Sequence, residues 1–478
     1  MQVSQVFMNF ALATLGLASG CKGPSGLPDL GGIYNRAASY HGPDRNPIIV
    51  IPGILGSNLR DAETGRQVWG AFQGNYANPS TPDGRRLIAL PMKEGVPLRE
   101  LRDGVRSDGA LGHLKIELLG LPFEAEAYAH VLKTLGVGGY RDESLGLTGA
   151  IDYGDDHYTC FQFDYDWRRD NVENARRLHE FILQKRLYVQ KEIEKRYGVK
   201  DKDVKFDIIA HSMGGLVARY YLRYGAADLP VDGSLLPITW AGRKHVDRMV
   251  LVGTPNAGSA HALTQLVEGI QFASVLPRYS AAILCTFPSI FQLLPRTRHQ
   301  PVIEASDPSM AIAEDLFDVA LWERMKWGLV NPDEDAVLKD LLPESSDPVA
   351  RRRIARDHLY KSLKRARQFH AALDSLDDSV PGGPVVSLIA GDAVPTTAVL
   401  ALNRETGKLT EAVTAPGDGT VVRTSALLDE RVGGKWSPTL RSPIRWHHVT
   451  FLFTDHLGLT RDPGFTDNVL YALLEEPR

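Results

Sequence analysis

Cysteine is scarce, at three in 478 residues. If Cys21 is set aside as a modified residue, Cys160 and Cys285 remain, and two cysteines make no disulfide framework. Neither falls in a metal-ligand spacing, so no metal site and no cofactor is expected. An excess of basic charge is missing too. Lys and Arg number 54 against 58 Asp and Glu, a net charge of −4. A nucleic-acid partner would call for a strongly basic face, and none is implied.

Residues 1–20 hold no Lys, Arg, Asp or Glu, and Val6 to Ala18 is mostly apolar. That run is too short to span a bilayer. It has the character of a secretory h-region ending in Leu17-Ala18-Ser19-Gly20-Cys21, close to a bacterial lipoprotein cleavage box with Cys21 as the lipidated residue. Two features depart from that pattern: no basic residue precedes the run, and Ala18 stands where a larger aliphatic is usual. The expectation is a leader over residues 1–21, with export to the bacterial envelope or exterior, and a cytoplasmic chain otherwise. Residues 22–45, rich in Gly and Pro, read as a tether. The whole chain is 43% apolar and 23% charged, enough to bury a sizeable core.

What is present is organised around Val204 to Leu222. Val204-Lys205-Phe206-Asp207-Ile208-Ile209-Ala210 reads as a strand, His211-Ser212-Met213 as a sharp turn, and the following residues as an amphipathic helix that stops at Gly225. This is the setting in which a G-x-S-x-G serine becomes an exposed nucleophile. The crowding of strand against helix demands tiny side chains two before and two after the serine; here they are Ala210 and Gly214. Alanine in place of the first glycine adds one methyl group.

Upstream, Asn46 to Ile51 is a continuous apolar strand entering the glycine turn Pro52-Gly53-Ile54-Leu55-Gly56. Such a strand is buried on both faces, as in a parallel sheet covered by helices. In α/β-hydrolases one oxyanion donor comes from the loop after an early strand, and the other from the residue after the nucleophile. By position these are the backbone amides of Ile54 and Met213.

Further strands are expected at Tyr158–Phe163, Arg248–Val252, Pro384–Ala390 and Arg445–Phe453. A long helix is expected over Asn171–Tyr197, capped by Asp170 or Asn171 and closed by Gly198, and a last helix over about Phe465–Leu474. Strands alternating with helices imply a parallel, doubly wound α/β sheet. Two stretches break the rhythm. Residues 61–109 show little periodicity and read as a long functional loop, with Trp69, Phe72 and Tyr76 either forming an apolar lid or packing. Residues 263–376 read as a helical cap without an obvious strand. A basic segment within it, from Arg351 to Arg367, suits either a solvated helix face or an anionic membrane surface. Gly417 to Val422 reads as a tight turn into a strand.

Taken together these stretches resemble the lecithin:cholesterol acyltransferase family, which includes phospholipid:diacylglycerol acyltransferases and lysosomal phospholipase A2. The residues that carry the resemblance are Ile51-Pro52-Gly53-Ile54-Leu55-Gly56-Ser57, Tyr165-Asp166-Trp167-Arg168, Ala210-His211-Ser212-Met213-Gly214-Gly215, Phe287-Pro288-Ser289 with Leu293-Leu294-Pro295, Gly391 with Val394-Pro395-Thr396, Gly417-Asp418-Gly419-Thr420-Val421, and His456-Leu457-Gly458-Leu459. They occur in the family's order across nearly all of residues 46–478. The resemblance implies an α/β-hydrolase fold with lid and cap insertions, and a Ser–Asp–His triad. By that match Ser212 is the nucleophile, Asp418 the acid and His456 the base. It implies acyl transfer on lipid esters, as acyltransferase or as lipase or phospholipase, with a phospholipid or acylglycerol substrate, water or an alcohol as acceptor, and contact with a membrane surface. Several secreted animal members have a disulfide-closed lid; with no cysteine between Cys21 and Cys160, any lid here is unbridged.

Other residues compete for each role. His211 lies beside Ser212 in sequence and is badly aimed to take its proton. His447 and His448 sit in a strand, so one of them faces solvent. Asp392, just after a strand, is the alternative to Asp418. A small-molecule carboxylesterase and a non-catalytic lipid-binding protein on a hydrolase fold are the alternative functions.

Overall fold

The computed structural model describes residues 29–70, 74–110, 114–118, 121–125, 128–144, 157–272, 276–376 and 385–477. The Cys21 leader reading and Phe72 lie outside the described residues. Six short apolar runs form one sheet: β1 (Ile48–Ile51), β2 (Cys160–Gln162), β3 (Phe206–His211), β4 (Val246–Val252), β5 (Val385–Gly391) and β6 (His448–Leu452). Their order is β6-β5-β4-β3-β1-β2, and every neighbouring pair is parallel. Alternation divides each strand between two cores. Ile49, Ile51, Ile208, Ala210, Met249, Leu251, Leu388 and Ala390 face one core. Ile48, Val50, Ile209, Val250, Val252 and Ile389 face the other. Both faces of the inner strands β1, β3, β4 and β5 are covered, which is why they read as mostly apolar runs, whereas the edge strand β6 is only partly buried.

One face carries the helices Asn171–Tyr197 and Met213–Tyr224, and the other carries Ala129–Val137 and Pro463–Leu474. The 27-residue helix Asn171–Tyr197 begins where Asp170 Oδ1 accepts the Val172 N–H and ends at Gly198 in the left-handed conformation. The chain leaves β1 for β2 on one side and then returns to place β3 on the other. The gap between the carboxyl ends of β1 and β3 is therefore the topological switch point, where open α/β sheets bind their ligands.

Four stretches differ from the sequence reading. Within the expected tether, Leu30–Ile33 and Asn35–Ser39 are helical, and the buried Tyr34 donates its hydroxyl proton to Asp467 Oδ1 at 2.6 Å, which ties this segment to the last helix. Residues 61–109 are not a bare loop: Ser57–Asp61 pairs antiparallel with Gln67–Trp69 and Val105–Ala110, and Pro82–Ile88 is a helix capped by Thr81. The inward positions of Ser57–Asp61 mix polar with apolar residues, Ser57 and Asp61 being buried beside Leu59, so its alternation does not show as an apolar one. Trp69 is buried in packing against Trp167, Phe272 and Tyr279, and Tyr76 is half-buried. Within residues 263–376, Val302–Glu304 is a strand, parallel to Val394–Leu402, which in turn pairs antiparallel with Leu409–Gly417. Three residues are too few to carry a period. Finally, the turn at Gly417–Val422 is preceded by a strand and runs into a short helix, Arg423–Leu427.

The basic segment is a helix, Pro348–Asp374, laid across the cap. Arg352, Arg353, Arg356, Arg365 and Arg367 pair with Asp335, Glu94, Glu323, Asp170 and Asp315 respectively. Its C-terminal carbonyls are taken by the helix that follows β3: Arg223 and Tyr224 donate to the Ala372 oxygen, and Arg219 to that of Leu373. Cations at a helix C-terminus satisfy its unpaired carbonyls and oppose its dipole. Among the described residues, no helix is long and apolar enough to cross a membrane.

Candidate active site

The end of β3 is a strained elbow. Ser212 has φ +51° and ψ −127°, a conformation rarely adopted by a residue with a side chain, and the helix Met213–Tyr224 starts directly after it. Small neighbours are a steric requirement. A methyl group on Gly214 would overlap the Pro52 carbonyl, and one on Gly215 would overlap Thr254 Oγ1. A Cβ on Gly53 would lie 2.7 Å from that of Ser212, so the loop after β1 touches this serine directly.

His456 follows β6 and turns its ring toward the elbow. Its Nε2 lies 3.0 Å from Ser212 Oγ, and its Nδ1 lies 2.7 Å from Asp418 Oδ2. The other carboxylate oxygen accepts the backbone N–H groups of Thr420 and Val421, at 3.0 and 2.7 Å. The His456 N–H also donates to the Asp418 carbonyl, locking the two loops together. Burial pushes the Asp418 carboxyl up, but the His456 imidazole and those two amides outweigh it and hold it below its ordinary value. Ser212 is 7% exposed. The space around these groups is tight, since a Cβ on Gly391 would lie 2.7 Å from that of Asp418.

The alternatives sit elsewhere. Asp392 pairs with Arg423 at 2.9 Å, and His447 with Glu476 at 2.8 Å, while His448 is exposed. His211 points away from Ser212 Oγ. Its Nδ1 lies 3.1 Å from the Tyr128 hydroxyl and its Nε2 is 3.3 Å from the His456 carbonyl. Burial, with the nearby His456, pushes its imidazole down to about 3, so it is neutral at any working pH.

Among the described residues, the Ile54 and Met213 N–H groups have no hydrogen-bond acceptor. Aromatic side chains hold the loop that carries Ile54. Tyr165 Oη donates to the Pro52 carbonyl at 2.9 Å, Trp69 Nε1 to that of Leu55 at 2.7 Å, and Trp167 Nε1 to that of Ser57 at 3.2 Å. The Gly53 N–H donates to the Tyr128 hydroxyl at 2.8 Å. The Tyr-Asp-Trp-Arg motif is thus a brace for this loop. Its Arg168 is fully buried against Asp166 and Asp103 and donates to the Ile88 carbonyl. Sequence reasoning recognised that motif without its purpose, and Tyr128 gave no local signal at all.

The fold is that of an α/β-hydrolase, with Ser, His and Asp joined by hydrogen bonds at the switch point. Residues 125–333 match the family model described as lecithin:cholesterol acyltransferase. The chain is 24% identical over 274 residues to lecithin-cholesterol acyltransferase-like 4 of Arabidopsis thaliana, an alignment covering 53% of this chain and 44% of that protein. It therefore spans less than half the length of this curated relative. Among solved structures, a chain in the crystal structure of the Tle4–Tli4 complex overlays with a TM-score of 0.55 at 16% identity, covering 90% of this chain and 98% of that one. At that identity the overlay speaks for a shared fold. Over residues 125–333 the chain is thus similar to the lecithin:cholesterol acyltransferase family. The matched span of the family model holds Tyr128, Tyr165 and Ser212, whereas Asp418 and His456 lie beyond it.

Proposed function

We propose that the protein transfers acyl groups from lipid esters through an acyl-enzyme on Ser212, to an alcohol or to water. The observation that carries this reading is the continuous hydrogen-bonded series Ser212 Oγ, His456 Nε2, His456 Nδ1, Asp418 Oδ2, with no separation above 3.0 Å. In this scheme Ser212 Oγ attacks the ester carbonyl as its proton passes to His456 Nε2. The amides of Ile54 and Met213 receive the developing oxyanion, and the tetrahedral intermediate expels the lipid alcohol, which leaves with the His456 proton. A second alcohol or a water then gives its proton to His456 and attacks the acyl-enzyme, restoring the free serine. Asp418 keeps the proton of the resting imidazole on Nδ1 and stabilises the charged imidazolium.

The lipid-ester class is supported by the family match. Acyltransferase and hydrolase use the same residues and differ only in which nucleophile reaches the acyl-enzyme. The test has two parts. Ser212→Ala should remove turnover of a nitrophenyl ester and labelling by a fluorophosphonate; retention of more than a few per cent of the turnover overturns the reading. Products from phospholipid vesicles, with and without added diacylglycerol or sterol, then separate the two outcomes. A new acyl ester identifies a transferase, and free fatty acid alone a hydrolase. Turnover of short esters with no response to a lipid interface favours a small-molecule carboxylesterase instead.

A further inference from the structure

The oxyanion donor on Ile54 is only as good as the orientation of its peptide plane. Two consecutive planes decide that orientation. The first joins Pro52 to Gly53, and both of its polar atoms are held by tyrosine hydroxyls. Tyr165 donates to the Pro52 oxygen at 2.9 Å, and Tyr128 accepts from the Gly53 nitrogen at 2.8 Å. The second plane joins Gly53 to Ile54, and its oxygen accepts the Gly56 N–H at 3.1 Å. In a trans peptide the C=O and N–H point in opposite directions. Fixing the Gly53 oxygen toward Gly56 therefore fixes the Ile54 N–H the other way.

Tyr128 has a second contact. Its hydroxyl carries one proton, and because it accepts from Gly53 that proton is free for His211 Nδ1, 3.1 Å away. An accepting Nδ1 puts the imidazole proton on Nε2, which faces the His456 carbonyl at 3.3 Å. Every donor in the series then meets an acceptor, and the burial that keeps His211 neutral agrees with this tautomer. The series runs from the loop after β1, past the residue before the nucleophile, to the backbone of the base.

We propose that Tyr128 is a positioning residue: with Tyr165 it clamps the Pro52–Gly53 peptide so that the Ile54 N–H faces the oxyanion, and through His211 it ties that loop to the backbone of His456. The proposal rests on the serine acyl-transfer reading. Neither tyrosine touches the reacting atoms. Their effect falls on the transition state, where the oxyanion is formed, and not on ground-state binding.

The test uses the full chain carrying Tyr128→Phe or Tyr165→Phe, each of which removes one oxygen and keeps the ring. A clamp predicts that Tyr128→Phe lowers kcat by about tenfold or more with KM within about twofold. Affinity for a trifluoromethyl ketone, which binds as an oxyanion-bearing adduct, should fall in the same proportion as kcat/KM. A kcat within twofold of the parent in both variants overturns the clamp. So does a fall in kcat with unchanged ketone affinity, which is the signature of a merely structural tyrosine. If Tyr128→Phe does not fold, Tyr165→Phe and its ketone affinity decide alone. An inactive parent that no fluorophosphonate labels would instead sink the underlying acyl-transfer reading, so the two failures are distinguishable.

Discussion

Asp418→Asn is the sharpest test of how the three side chains cooperate, because the structure dictates how the amide must sit. Asp418 Oδ1 accepts two backbone N–H groups, from Thr420 at 3.0 Å and Val421 at 2.7 Å. An asparagine must keep its oxygen there, since its NH2 group would face two donors in the opposite orientation. The NH2 group therefore takes the place of Oδ2, 2.7 Å from His456 Nδ1. Facing a donor, Nδ1 must become an acceptor, and the imidazole proton moves to Nε2. That nitrogen now presents a proton to Ser212 Oγ at 3.0 Å instead of a lone pair. The base is in place and in the wrong tautomer. The expected loss is about 10³–10⁴-fold in kcat, or about 4–5.5 kcal/mol of transition-state stabilisation. Steady-state hydrolysis of a nitrophenyl ester measures it, with a thermal melt to confirm that the variant is folded. Asp392→Asn, altering a carboxylate paired with Arg423, is the companion variant and should stay within about twofold of the parent. A folded Asp418→Asn enzyme with kcat within tenfold of the parent would refute the reasoning about tautomers.

Two further outcomes follow from packing and burial. Gly215→Ala places a methyl group against Thr254, a residue with no exposure, and should destabilise the fold by about 1–3 kcal/mol in denaturant titrations; an unchanged midpoint would mean that the helix after the elbow shifts freely. His211, His358 and His370 are all buried, and each meets a backbone carbonyl through Nε2. Burial pushes all three down, His211 to about 3 and His358 to about 4 from an ordinary 6.5. The unfolded chain therefore takes up protons first as pH falls. Stability is full above about 6.5 and declines from there toward the folded-state values, by on the order of 1 kcal/mol for each of His211 and His358 between pH 7.5 and 5.5, with His370 acting in the same direction. Unfolding midpoints that stay flat across that interval would show that these imidazoles are not held neutral by the fold.

Much of this protein is written in short stretches. The buried strands announce themselves as unbroken aliphatic runs, and the elbow as a strand, a serine among tiny neighbours and a helix. The helix Asn171–Tyr197 is bounded by an aspartate and a glycine whose side-chain chemistry caps it locally. These are regularities of adjacent residues, so a linear reading finds them. Ser212, Asp418 and His456 are singled out through the resemblance to a known family, and the structure brings the three within hydrogen-bonding distance. What the linear reading misses is of two kinds. Ser57–Asp61, whose buried positions are partly polar, and Val302–Glu304, only three residues long, offer no apolar period to detect. Contacts across the chain have no local signature whatever. Tyr128 meets Gly53 across 75 positions and His211 across 83, and only the closing of the sheet around the switch point brings them together. Which residues are chemically able to act is a property of their side chains, and the chain order records it. Which way a peptide faces, and which nitrogen of an imidazole holds the proton, depend on partners that arrive only when the tertiary structure forms.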